Sequence, residues 1–241
     1  MYGMYGYGYG YGLDPTIILV LIGVALSLWA QGRVNSTFSR YSRVRSMTGM
    51  TGAEAARRLL NAQGIYDVTV QQIAGELTDH YDPRTKTVNL SQSVYGATSV
   101  AAIGVAAHEC GHAMQDNEGY APLRFRSALV PAANFGSKLS WPLILLGLVF
   151  GGLGSPLVEI GILMFSLAVL FQLVTLPVEY NASARAVRLL DSQGILAGEE
   201  VSGTRKVLNA AALTYVAAAA TSILQLLRLI ILFGGRNRRD N

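Results

Sequence analysis

Four long apolar stretches divide this 241-residue chain, and one extended polar block separates the first from the second. The first stretch, Pro15 to Ala30, carries no charge. It is short for a span of roughly 20 residues, but Leu13 before it and snorkelling near Arg33 after it extend its reach. Its positive charges follow the run instead of preceding it, which separates it from a cleaved signal peptide. Residues 13–32 therefore read as a transmembrane helix. The second apolar region is strongest from Trp141 to Leu153 and is entered by a helix beginning near Leu129. Gly151, Gly152, Gly154, Ser155 and Pro156 predict a tight turn, and Val158 to Val178 forms a third span. Residues 128–178 thus read as a transmembrane hairpin. Ala210 to Phe233, broken by Gln225 and Arg228, gives a C-terminal apolar helix over 210–234.

The polar stretches have their own periodicity. Thr51-Gly52-Ala53-Glu54 is a capping box opening a helix that runs to Gln63 and stops at Gly64. Val68 to Ile73 predicts a strand. Leu77 to Tyr81 and Thr85 to Leu90 flank the turn Asp82-Pro83-Arg84, which predicts a hairpin. Ser99 to about Gln115 is Ala-rich and helical. Glu179 to Gly194 reads as a helix in a second polar segment over 179–209, and a further helix begins near Glu199. Residues 1–12 alternate Tyr with Gly and predict a disordered tail. Residues 235–241 form a basic tail. The fold class is mostly α: a multi-pass helical membrane protein with a small sheet beside one polar helix.

Composition supports this division. Hydrophobic residues make up 51% of the chain and the mean hydropathy is +0.34. Charged residues are 14%, against roughly 25% in a soluble domain, too few to cover a water-exposed globule. No Lys or Arg precedes Arg33, and Arg40, Arg43 and Arg45 follow it closely. This asymmetry places the N-terminus outside the cell and the 33–127 layer in the cytosol. Four full crossings would put the basic C-terminus outside, against the same tendency, so its side is left open. Arg57, Arg58, Arg124 and Arg126 read as a solvated or headgroup face and not as a nucleic-acid surface. Cys110 is the single cysteine, which excludes an intrachain disulfide framework.

The chemistry lies in His108-Glu109-Cys110-Gly111-His112, an H-E-x-x-H pattern on the Ala-rich helix. Positions i and i+4 share a helix face, so two imidazoles can bind one Zn²⁺ with Glu109 beside it as general base. With three histidines in the chain, chance supplies this register only roughly 0.002 times. Cys110 points off that face and reads as a packing residue. A third ligand is required. His80 is the remaining histidine, and Glu118, Glu159, Glu179, Glu199 and Glu200 are the carboxylate options. Glu159 and Glu179 sit at opposite ends of the third span, about 30 Å apart at 1.5 Å per residue. The chain leaves the His108 side through the second span and returns through the third, so Glu179 is favoured.

AAHECGHAMQ (106–115) and LFQLVTLPVEYNASARA (170–186), with LTDHYDP (77–83) and LNAAALTYVAAA (208–219), resemble the YugP-type putative neutral zinc metallopeptidase family of bacterial membranes. The resemblance covers about residues 13–232. More distantly, two spans between H-E-x-x-H and a zinc-binding Glu are similar to HtpX-type and CAAX-prenyl-type membrane proteases. Carried onto this chain, the resemblance puts Glu179 in the ligand position. Ser183 stands where those distant relatives have an Asp supporting a ligand histidine, so that support is uncharged here or comes from Asn181 or Arg185.

The implied activity is zinc-dependent endopeptidase hydrolysis of peptides or membrane proteins in the bilayer. Zn²⁺ is held by His108, His112 and Glu179, and Glu109 is the catalytic base. His80, Tyr215 and Arg185 are the possible transition-state donors. The strand Lys86 to Leu90 is expected to offer an edge to an extended substrate. The competing reading is a non-proteolytic membrane scaffold with a structural zinc. The residues do not indicate an oligomeric state.

Overall fold

The computed structural model describes residues 14–152 and 155–234. The expected Tyr/Gly tail, the basic tail and the centre of the Gly-rich turn (153–154) lie outside the described residues. Helix α1 (Ile17–Tyr41) leads through α2 (Gly52–Ala62) to strands β1 (Thr69–Ile73), β2 (His80–Asp82) and β3 (Thr87–Ser91). A short α3 (Gln92–Tyr95) precedes α4 (Val100–Asn117), and three long helices follow: α5 (Ala121–Gly151), α6 (Pro156–Ser192) and α7 (Glu199–Phe233). The fold is mostly α. Helices α1, α5, α6 and α7 are long and apolar enough to cross a membrane.

The long helices do not stop where their apolar runs stop. Helix α1 continues past Ala30 to Tyr41 and carries Arg33 and Arg40. Helix α5 begins at Ala121, not near Leu129, so Arg124 and Arg126 belong to it. The third span and the helix expected after it are one continuous α6, and the helix from Glu199 runs unbroken into the fourth apolar stretch as α7. Hydropathy marks where lipid ends, whereas backbone hydrogen bonding continues wherever residues favour it. Pro131, Pro142 and Pro177 lie inside α5 and α6, as packed membrane helices tolerate.

Helices α1 and α7 run antiparallel. Thr221 donates to the Gly23 carbonyl at 3.1 Å, and Arg228 reaches Asp14 at 3.5 Å and Thr16 at 3.3 Å. Arg228, unusual within an apolar run, is thus paired at the level where α1 begins. The fourth stretch traverses the full depth of the bundle, and its end lies at the same end as the start of α1. Helices α5 and α6 approach through small residues: a Cβ on Gly136 would lie 2.5 Å from the Met164 oxygen.

The polar layer packs on α4. Thr51 caps α2 by accepting from the Glu54 amide, and Glu54 accepts from the Thr51 amide. This is the expected capping box. Leu59, Leu60, Val88, Leu90 and Ile103 form a fully buried core with Cys110, whose thiol faces Ala56. The sheet order is β1-β3-β2, with β1 parallel and β2 antiparallel to β3. This corrects one expectation. β3 is buried along its length and paired on both sides, so it offers no edge. The edges belong to β1 and β2, and β2 carries His80–Asp82. The hairpin was legible from its turn; the parallel partner, distant in sequence, was not.

Candidate metal centre

Helix α4 passes between the sheet and α6, and its approach to α6 sets the site. A Cβ on Gly111 would lie 2.6 Å from the Ala182 carbonyl oxygen, so only glycine allows this spacing. His108 and His112, flanking Gly111 on the same helix, are thereby held against Glu179. His108 Nε2 is 3.2 Å and His112 Nε2 is 3.4 Å from Glu179 Oε2. All three ligand atoms lie within 4.8 Å of one another. Ligands bonded at 2.0–2.1 Å around a tetrahedral ion stand about 3.3–3.4 Å apart, so these two separations suit Zn²⁺.

The outer ring nitrogens fix the histidines' orientation. His112 Nδ1 is 3.0 Å from Gln115 Oε1. The Gln115 amide nitrogen donates to the Val178 carbonyl and to Asn181 Oδ1, both at 2.9 Å, which leaves Oε1 as an acceptor. His112 therefore carries its proton on Nδ1 and turns the Nε2 lone pair to the metal position. His108 Nδ1 is 3.1 Å from Ser183 Oγ, so with Nε2 turned to the metal position the hydroxyl fills the supporting place as acceptor. Behind Gln115, Arg185 donates to Asn181 at 2.7 Å and to Glu118 at 2.6 Å. That hydrogen bond, with the guanidinium charge, holds the Glu118 carboxyl below its usual range. Gln115 lies three residues after His112, on the same face, and that spacing was its signal in the sequence.

A cavity of about 630 Å³ opens beside the three donors. Glu109, Tyr215, Arg126 and His80 line it with the β2 segment. His80 lies at the cavity, but both ring nitrogens are engaged: Nδ1 with the Thr78 carbonyl at 2.8 Å and Nε2 with the Asn89 amide at 3.2 Å. Arg185 does not reach the cavity, because Asn181 and Glu118 hold it on the far side of Gln115. Glu159 sits in the first turn of α6, and Glu200 accepts from the Met47 amide at 2.7 Å. Neither joins the donors.

Arg126 corrects the expectation of a headgroup-facing residue. Its guanidinium is 3.8 Å from Glu179 Oε1 and stands over the Phe171 ring, and its Nε is buried without a partner. Nothing in its local sequence marks it, since the partner is more than fifty residues away. A second, more apolar cavity of about 170 Å³ adjoins Glu109 and is lined in part by Val34, Leu77, Val105, Leu208 and Ala211. Asp79 borders both cavities and accepts from the Ser91 amide at 2.8 Å; burial pushes its carboxyl up.

A sequence model of the family described as "Putative neutral zinc metallopeptidase" matches residues 16–234. The chain belongs to this zinc metallopeptidase family. A curated relative, "Putative membrane protease YugP" of Bacillus subtilis (strain 168), is 49% identical over 224 residues, covering 93% of this chain and 98% of that protein. No solved structure matches the chain. The metallopeptidase family and the His108, His112 and Glu179 cluster together identify zinc as the cofactor, and the relative and the four apolar helices identify a membrane protein.

Proposed function

We propose that this metallopeptidase is an endopeptidase that hydrolyses peptide or membrane-protein substrates at the membrane surface, with Glu109 as general base. The observation that carries this reading is the convergence of His108, His112 and Glu179 at the wall of an open cavity that Glu109 also lines. A purely structural zinc has no need of that cavity. Zinc held by these three side chains would polarise the scissile carbonyl and make water acidic enough to be a nucleophile near neutral pH.

The chain's own residues account for the remaining steps. The Glu109 carboxylate accepts the proton of the attacking water and returns it to the leaving amine nitrogen. Among the donors considered from the sequence, Tyr215 lines the cavity with its hydroxyl beside Glu179, and Arg126, also at Glu179, joins it. Both are placed to steady the carbonyl oxygen as it gains charge. The free edge of β2 supports an extended substrate backbone by strand addition. The smaller apolar cavity suits one apolar substrate side chain. The concentration of Arg33, Arg40, Arg43 and Arg45 at the polar layer supports a site facing the cytosol.

Glu109→Gln is the test. In detergent, parent and variant should each hold about one zinc per chain, and cleavage of a quenched-fluorescent peptide library should fall by roughly 10²–10⁴ in the variant. Equal cleavage by both would remove Glu109 from the mechanism. A zinc-loaded parent that cleaves no peptide would leave the scaffold reading in its place.

A further inference from the structure

A second cleft, unrelated to the zinc donors, lies where α1, α6 and α7 leave their apolar stretches. It has a volume of about 710 Å³, within the roughly 300–1,000 Å³ typical of small-ligand sites. Arg33 and Arg40 of α1 and Lys206 of α7 converge on it, with Tyr41, Tyr180 and Asn209. No Asp or Glu lines it. Among the described residues, none of the three cations forms an ion pair with a carboxylate.

Its depth follows from the antiparallel pairing of α1 and α7. Arg228 and Asp14 pair at one end of the two helices. From there α1 carries no charge until Arg33, and α7, read in the opposite direction, none until Lys206. About 18 residues of α1 at 1.5 Å each span roughly 27 Å, close to the hydrocarbon thickness. Arg33 and Lys206 are therefore the first charges beyond the hydrocarbon at the same end, where lipid phosphates lie. Ala210 and Leu213 form the apolar floor. Two guanidinium groups and an ammonium around hydroxyl and amide donors match a phosphate ester, and the apolar floor suits the glycerol and upper acyl chain of a lipid.

We propose that this cleft binds the headgroup phosphate of an anionic membrane phospholipid. The cations come from two helices that the lipid would clamp together, and Tyr180 sits one residue beyond Glu179 on the third. The proposal does not depend on the peptidase reading.

Native mass spectrometry of the delipidated protein in neutral detergent tests it, with phosphatidylglycerol and phosphatidylcholine added separately. The parent should retain one phosphatidylglycerol per chain in preference to phosphatidylcholine. Changing Arg33, Arg40 and Lys206 together to Gln should reduce that retention about tenfold or more. Ser36→Glu, an exposed change at the cleft that removes no cation, should weaken it in the same direction. A control with Arg43, Arg45 and Arg84 changed to Gln should retain the lipid. Unchanged retention in both cleft variants, or equal loss in the control, would overturn the site. Displacement of the lipid by an equal concentration of glycerol phosphate would assign the cleft to soluble phosphates and overturn the lipid claim.

Discussion

Gly111→Ala tests whether the approach of α4 to α6 creates the metal centre. The added Cβ would stand 2.6 Å from the Ala182 oxygen and 3.1 Å from the Ala182 carbonyl carbon and Cα. These are backbone atoms, so no side chain can swing aside. Restoring ordinary contact requires the helices to part by roughly 0.8 Å or more. Ala182 lies one turn from Glu179 and next to Ser183, so the displacement passes directly to a candidate zinc donor and to the partner of His108. Metal sites accept departures of about 0.2 Å in ligand distance.

Zinc affinity should therefore fall by about 10–100-fold, which removes roughly 1.4–2.7 kcal/mol of zinc-dependent stabilisation. The assay is zinc competition against a chromophoric chelator in detergent, with thermal melting of the zinc-free forms. Gly136→Ala is the control. Its Cβ would stand 2.5 Å from the Met164 oxygen, an equally tight contact away from the donors. Overpacking should cost each variant about 1–3 kcal/mol, but only Gly111→Ala should lose zinc affinity. Binding of zinc by Gly111→Ala within twofold of the parent would refute the reasoning.

Gln115→Ala removes the acceptor for His112 Nδ1 and the tie from α4 to Val178 and Asn181 of α6, so zinc affinity should fall by about 10–100-fold in the same competition assay; Ser183→Ala should act in the same direction on His108. Ala211→Leu partly fills the apolar cavity of about 170 Å³ beside Glu109. It should lower kcat/KM about tenfold for peptides with a large apolar residue at one position and spare small residues there, as a peptide-library profile would reveal. An unchanged profile would remove that cavity from substrate selection.

Much of this molecule is legible from short-range pattern. The capping box at Thr51 and the turn at Pro83 depend on neighbouring residues, so they read correctly. The H-E-x-x-H register follows from helix geometry alone. Even Glu179, seventy residues away, could be favoured, because lipid thickness determines which end of a span returns to a given side. The helix boundaries of α5 and α7 were less legible, since hydropathy reports the solvent around a helix and not its hydrogen bonding.

The sequence by itself determined the membrane spans, the histidine pair and the side of the bundle on which a third ligand could stand. These follow from periodicity and from the fixed thickness of lipid. Only the tertiary structure decided that Arg126 turns to Glu179 and that Arg185 turns away to Glu118. It also decided that β3 is central and that Gly111 lets α4 meet α6. Each of these depends on which surface another helix or strand occupies. Such a contact is set by steric fit between segments far apart in the chain, and neither segment's composition records it.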